Sequence, residues 1–331
     1  MSETTISTGD PELVALVRTL NQDLAEENSP FNSELWSAMS DAELQLIGIP
    51  EDDGGPGGTL SDLVATVFEC ARAAAAIPLV ENWLAQYLRA KAGLGIRPGV
   101  SICVGPAELG RTALSIDGLT WAPHADELLV IEGSEQASAV RPVTSWIADA
   151  TTRYDLAGQP AQDVEIPLEG LGEPGPVAHG EFVTVTNLLR AAQLGGAIRG
   201  CFDLTRGYAA ERHQFGVRID SFPAVQQHLI QLAQAAAITR VSVFRAAAAT
   251  EATQAARAAR LVSNEFARVA IRCAHQVHGA IGMTREYHLA SLTQRLHWWR
   301  QADAHLAAKP HEGQTMFIDD VWLDTAEAAQ R

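Results

Sequence analysis

Arg212-His213-Gln214-Phe215-Gly216 and, some sixty residues further on, Gln276-Val277-His278-Gly279-Ala280-Ile281-Gly282 decide how this chain is read. Together they spell R-x-Q-F-G followed by Q-x-x-G-x-x-G, each inside a helical, alanine-rich region. An arginine just after a helix can fork onto phosphate oxygens, and residues without side chains let backbone approach a base closely. Either piece alone reads equally as a helix end, with a packed phenylalanine and a glycine at the C-cap. The pair, in this order within one helical region, points to the phosphates and adenine of a dinucleotide.

The chain around these motifs is 331 residues long, 47% hydrophobic and 19% charged, which suits two or three folded domains with a large core. A net charge of −16 argues against a broad nucleic-acid surface. An anionic ligand must therefore meet a local cationic group. No apolar run reaches the roughly 20 residues of a membrane helix. The polar start Met1-Ser2-Glu3-Thr4 carries no secretory signal, so a cytoplasmic location is expected. Cys70, Cys103, Cys201 and Cys273 are widely spaced, form no C-x-x-C pair and read as buried free thiols rather than a metal or disulfide framework.

Hydrophobic spacing divides the chain into three parts. Helical periodicity runs from Pro11 to Leu24 and from Leu60 to Leu94, with Thr59 or Ser61 as N-cap after a Gly/Pro-rich loop. Short β-rich segments follow: Val100–Val104, Ala113–Ile116, Glu127–Ile131, Ser145–Ala148 and Phe182–Val185. Beyond Asn187 three stripes recur at helical spacing: Val225 to Val243, Val262 to Val277 and Leu289 to Trp299. The expected fold is α+β: an N-terminal helical domain (1–98), a small β-domain (99–185) and a C-terminal antiparallel helical bundle (186–331).

This order, with these motifs, resembles the acyl-CoA dehydrogenase superfamily of flavoenzymes. Leu46-Ile47-Gly48-Ile49-Pro50-Glu51-Asp52-Asp53-Gly54-Gly55 is similar to the family's "L-G-I-P-E-x-x-G-G" loop. Gln193-Leu194-Gly195-Gly196 is similar to the opening of its first bundle helix, and Ser221 to Gln226 continues the R-x-Q-F-G signature with Pro223 in place of glutamine. Gln276 to Thr284 matches "Q-x-x-G-G-x-G-x-T" with Ala280 for the second glycine. The resemblance implies FAD as cofactor and an acyl-CoA thioester as substrate. It also implies that FAD lies across a subunit interface, held on its adenine and pyrophosphate side by Arg212, Gln214, Phe215, Gln276, Gly279 and Ala280.

Two departures qualify the resemblance. The family's flavin half-site has a "W-[IV]-[ST]" strand, but Thr120-Trp121-Ala122-Pro123-His124 is short and lacks the matching threonine, so Trp121 reads as β-domain core. The family's glutamate base falls 21 residues after the last motif glycine, which from Gly282 lands on Asp303, in flanks unlike "Y-E-G-T". Asp303 is therefore either a catalytic base or a helix-surface residue. The leading expectation is a shortened subunit, similar to those of actinobacterial heterotetrameric steroid side-chain acyl-CoA dehydrogenases, supporting a longer homologue. A self-sufficient homomeric dehydrogenase or oxidase using Asp303, and a flavin-free scaffold, are the alternatives. In the family the last helices lie between subunits, so the apolar face of Leu289 to Trp299 is expected at an interface.

Overall fold

The computed structural model describes residues 8–25, 29–107, 112–133, 138–284 and 286–303. Four N-terminal helices come first: α1 (Pro11–Asp23), α2 (Ser33–Asp41), α3 (Leu60–Arg72) and α4 (Leu79–Lys91). Thr59 caps α3 in a reciprocal box with Asp62, so the first of the two candidate caps is the one used. The single helix expected over Leu60 to Leu94 is broken after Arg72 by a turn in which Ala74 adopts φ 53°. Pro78, at the N-cap of α4, cannot supply the amide that a continuous helix would need.

The β-domain follows, as β1 (Ser101–Ala107), β2 (Ala113–Thr120), β3 (Glu127–Gly133), β4 (Ser138–Pro142), β5 (Ile147–Ala148), β6 (Arg153–Tyr154), β7 (Pro160–Pro167) and β8 (Gly175–Val177). One sheet has the order β1-β3-β4-β8, with β1 and β3 parallel; the other has the order β2-β7-β5, with β6 also on β7. Alternation along β3 divides its side chains between two cores. Leu128 and Val130 join Trp121, Val164 and Ile166 between the sheets, whereas Leu129 and Ile131 join the core shared by α3, α4 and the long helix that begins at His179. A buried Arg89–Glu127 pair at 2.6 Å and an Asn82 oxygen accepting from the Ser101 amide at 2.9 Å fix α4 to the sheet.

The bundle comprises α5 (His179–Glu211), a hairpin of β9 (His213–Gln214) and β10 (Val217–Arg218), then α6 (Pro223–Ala247), α7 (Ala252–His278) and α8 (His288–Gln301). Here the expected boundary at 185/186 is corrected. Phe182–Val185 is helical, and the β-domain ends with β8 at Val177. Phe182, Val183, Val185, Leu188 and Leu189 are all buried, and so are Thr184, Thr186 and Asn187, so this part of α5 has no exposed face. A short β-branched run buried all round cannot be told from a strand by periodicity. For the same reason Gln193 to Gly196 lies within α5 rather than opening it. Those glycines let α3 approach, since a Cβ on Gly196 would sit 2.1 Å from the Phe68 carbonyl oxygen and one on Gly200 2.4 Å from that of Arg72.

Two further stripes differ from expectation. On α7 the buried line is Ala256, Ala259, Ser263, Ala267, Ala270 and Ala274, with Val262, Phe266 and Val269 only half-buried beside it. Alanine permits close helix approach, so the larger side chains flank the contact. On α8, Leu289, Leu292, Leu296 and Trp299 are each at most 3% exposed, so that face packs inside this chain and is not left for a second subunit. On the bundle helices the exposed large apolar residues lie instead on α6 and α7, at Ile230, Ile238, Val241 and Leu261.

Candidate cofactor and active site

At one end of the bundle the two sequence motifs come together. Arg212 ends α5 as its C-cap, and its amide donates to the Tyr208 carbonyl at 2.9 Å. The chain then reverses through a two-residue turn with Phe215 at φ 53° and Gly216 at φ 82°, both positive as such a hairpin requires. Beyond it, Ile219 packs with Ala209 of α5 and Val277 of α7 in a small apolar cluster. Tyr208 stacks on His278 at 4.5 Å, and Tyr287 meets both rings, His278 at 5.2 Å and Tyr208 edge-on at 6.3 Å. These contacts join the hairpin to the end of α7, where Gln276 and Gly279 lie.

Arg212, Gln214, Phe215, Gln276, Gly279 and Ala280 are all exposed in the single chain. The two arginines of the hairpin differ in their partners. Arg218 pairs with Asp220 at 3.0 Å, whereas no side chain among the described residues pairs with Arg212. Phe215 is 93% exposed in a left-handed conformation, a strain of roughly 1–3 kcal/mol, with an edge contact to Phe222 at 6.2 Å. Gly279 ends α7 at φ 61°, ψ −140°, a conformation closed to side-chain-bearing residues, and opens onto free space. A free guanidinium, an exposed ring and bare backbone are what the pyrophosphate and adenine half of FAD would need. The packed-phenylalanine reading of this motif does not hold.

Asp303 is neither free nor a plain surface residue. Its Oδ2 accepts from Arg190 Nε at 2.8 Å, and Arg190 also donates to Glu81 at 2.7 Å and to Gln193 at 2.8 Å. Burial opposes the charge on Arg190, but the Asp303 and Glu81 carboxylates outweigh it and move its pKa up. A second buried arginine, Arg260, donates to the carbonyls of Trp299 and Ala302 at 2.7 and 2.8 Å, closing the end of α8 beside Asp303. Burial pulls the pKa of Arg260 down to about 10. Proton uptake at Asp303 would break an ion pair held by the interior of α5. Arg190 and Glu81 escaped the sequence reading; the available signal was an arginine inside the apolar run Leu188-Leu189-Arg190-Ala191-Ala192.

On the flavin side, Trp121 is fully buried at φ 68° and followed by a 3-10 turn instead of a strand. Phe31 meets it edge-on at 6.1 Å and stacks on His124 at 4.3 Å. The indole thus lies in the β-domain core under Phe31, as its sequence context predicts. The residues present fit the adenine half of FAD and not a flavin platform.

Comparison with known proteins decides the family. The model described as "Acyl-CoA dehydrogenase, N-terminal domain" matches residues 15–93, and that described as "Acyl-CoA dehydrogenase, C-terminal domain" matches residues 177–303. The chain belongs to the acyl-CoA dehydrogenase family. Its members are FAD-dependent flavoproteins, so FAD is the cofactor. The acyl-CoA dehydrogenase IpdE2 of Mycobacterium tuberculosis is 29% identical over 293 residues, covering 88% of each chain. Among solved structures, the ChsE4-ChsE5 complex from Mycobacterium tuberculosis matches with a TM-score of 0.76 at 19% identity, covering 100% of both chains. The Tcur3481-Tcur3483 steroid ACAD G363A variant matches with a TM-score of 0.74 at 20% identity, covering 97% of this chain and 98% of that one. These structural likenesses confirm the α+β fold. No described helix is long and apolar enough to cross a membrane, and no described cluster of His, Cys, Asp and Glu could hold a metal ion.

Proposed function

We propose that this chain is the supporting subunit of a heterotetrameric acyl-CoA dehydrogenase that introduces an α,β double bond into a bulky acyl-CoA thioester of the steroid side-chain class. One observation carries the reading: the residues suited to the adenine half of FAD gather at one bundle end, exposed and with the Arg212 guanidinium unpaired among the described residues, while the flavin-side tryptophan is buried. Arg212 would hold a phosphate, Phe215 and Gln214 the adenine end, and Gln276, Gly279 and Ala280 the adenine-ribose half. When bound, FAD supplies hydride acceptance in the dehydrogenation. The longer partner would supply the flavin platform and the base that takes the α-proton.

The Arg190–Asp303 ion pair supports assigning the base to the partner, and the exposed apolar residues of α6 supply a face for it. Two of the structural relatives are named as pairs, ChsE4-ChsE5 and Tcur3481-Tcur3483, and the second is a steroid ACAD. Purifying the chain alone and co-expressed with a longer homologue tests the proposal. The chain alone should be colourless. The complex should carry FAD that bleaches on adding acyl-CoA. A yellow homomer that bleaches unaided would overturn the proposal in favour of a self-sufficient enzyme using Asp303.

A further inference from the structure

A cavity of about 1060 Å³ lies apart from the bundle end and from Asp303. It is bordered by the end of α1, the loop into α2, the turn between α3 and α4, the turn between β6 and β7, and one side of α8. Such a volume holds a small organic molecule. Part of its wall is apolar, formed by Leu35, Ala74, Ala75, Ala76 and Ala157. Arg295, on α8, lines it with a guanidinium that is nearly unused. The residue is 6% exposed; Nη1 makes one long bond to the Ser291 carbonyl at 3.2 Å, and Nε is buried without a partner.

The acid that shares this cavity does not satisfy Arg295. Asp155 accepts instead from the Gln159 amide at 2.9 Å and from the Thr120 hydroxyl at 3.3 Å. Glu286, also on the lining, is exposed at the entrance to α8. A second orphan, the Oδ1 of Asn21, is buried on the α1 side of the same cavity. A buried guanidinium without a bonded counter-charge is costly and calls for a partner. The planar group best matched to its open edge is a carboxylate.

We propose that this cavity is a second ligand site, taking an amphipathic carboxylate whose head docks on Arg295 and whose apolar body lies along the Ala74–Ala76 wall. Calorimetric titration of the full-length chain with decanoate tests it, with decanol and free coenzyme A as uncharged and phosphate-bearing controls. Decanoate should bind at least about tenfold tighter than decanol, the usual scale of one charge-assisted pair. Arg295→Met should remove that preference, and Ala75→Trp, which fills the cavity and leaves Arg295 in place, should abolish binding. The second variant keeps the test decisive if the first does not fold. Absence of decanoate binding, equal binding by Ala75→Trp, or coenzyme A binding in its place would overturn the proposal. No arm measures flavin or turnover, so the result stands independently of the subunit's role in catalysis.

Discussion

Arg212→Ala is the substitution that separates folding from cofactor retention most cleanly. In the single chain Arg212 is exposed and pairs with no described side chain, so removing it should change unfolding free energy by no more than about 0.5 kcal/mol. In the assembled site the same guanidinium would meet a phosphate away from water, where one charge-assisted hydrogen bond contributes about 1.5–3 kcal/mol. That range corresponds to a fall in FAD affinity of roughly 10- to 150-fold. Arg218 is an internal control, because its guanidinium is already engaged by Asp220 at 3.0 Å. Arg218→Ala should weaken FAD by less than about threefold, since its loss removes an exposed ion pair of small value. The measurement is FAD titration into the deflavinated heteromeric complex, followed by flavin fluorescence, with thermal unfolding of each variant alongside. Equal FAD affinity in Arg212→Ala and the parent complex would refute the assignment. A large loss of thermal stability would instead show that Arg212 holds the hairpin.

Other outcomes follow from the same geometry. Asp303→Asn should leave turnover of the complex within a few-fold, because Asp303 is engaged by Arg190; a hundredfold fall with flavin and assembly intact would make it the base, for which losses of about 10²–10⁴ are usual. Gly196→Ala should destabilise by about 1–3 kcal/mol or more, since its Cβ would meet the Phe68 carbonyl at 2.1 Å, whereas Gly207→Ala, with open space around it, should stabilise by about 0.5–1 kcal/mol; urea unfolding of the two variants checks both signs. Burial beneath Tyr208 and Tyr287 lowers the pKa of His278, so its neutral form is favoured in the fold. The stability it contributes is present above the ordinary histidine value of 6.5 and is lost as pH falls below it, so FAD retention should drop toward pH 5 and His278→Phe should flatten that dependence.

The fold was legible wherever a pattern had two faces. The stripe Leu289, Leu292, Leu296 and Trp299 reads as a helix and is one. Complete burial removes that signal: β3, buried on both faces, and Phe182–Val185 read alike as short strands, and only β3 is one. Phe182–Val185 has no exposed side in the structure, so its composition suggested a strand while its surroundings required a helix. The destination of an apolar face was equally hidden: α8 is apolar on the side it packs internally, and no periodicity distinguishes that from a side waiting for a subunit.

The candidate site divides along the same line. Arg212, Gln214, Phe215, Gln276, Gly279 and Ala280 can be proposed from sequence because backbone approach and anion binding constrain residue type directly, through a missing side chain or a charge. Their convergence required the fold, since the Ala209–Ile219–Val277 cluster and the Tyr208–His278 stack bring the end of α5 to the end of α7. Asp303 could be counted to, but its state could not. Whether a carboxylate is free to take a proton depends on what lies opposite it, and Arg190 stands 113 residues away in sequence. That arginine is held in the interior by Glu81 and Gln193 as well as Asp303, so a proton taken up at Asp303 would cost Arg190 one of three partners. The proposed supporting role rests on this network at the base position together with the exposed residues at the bundle end.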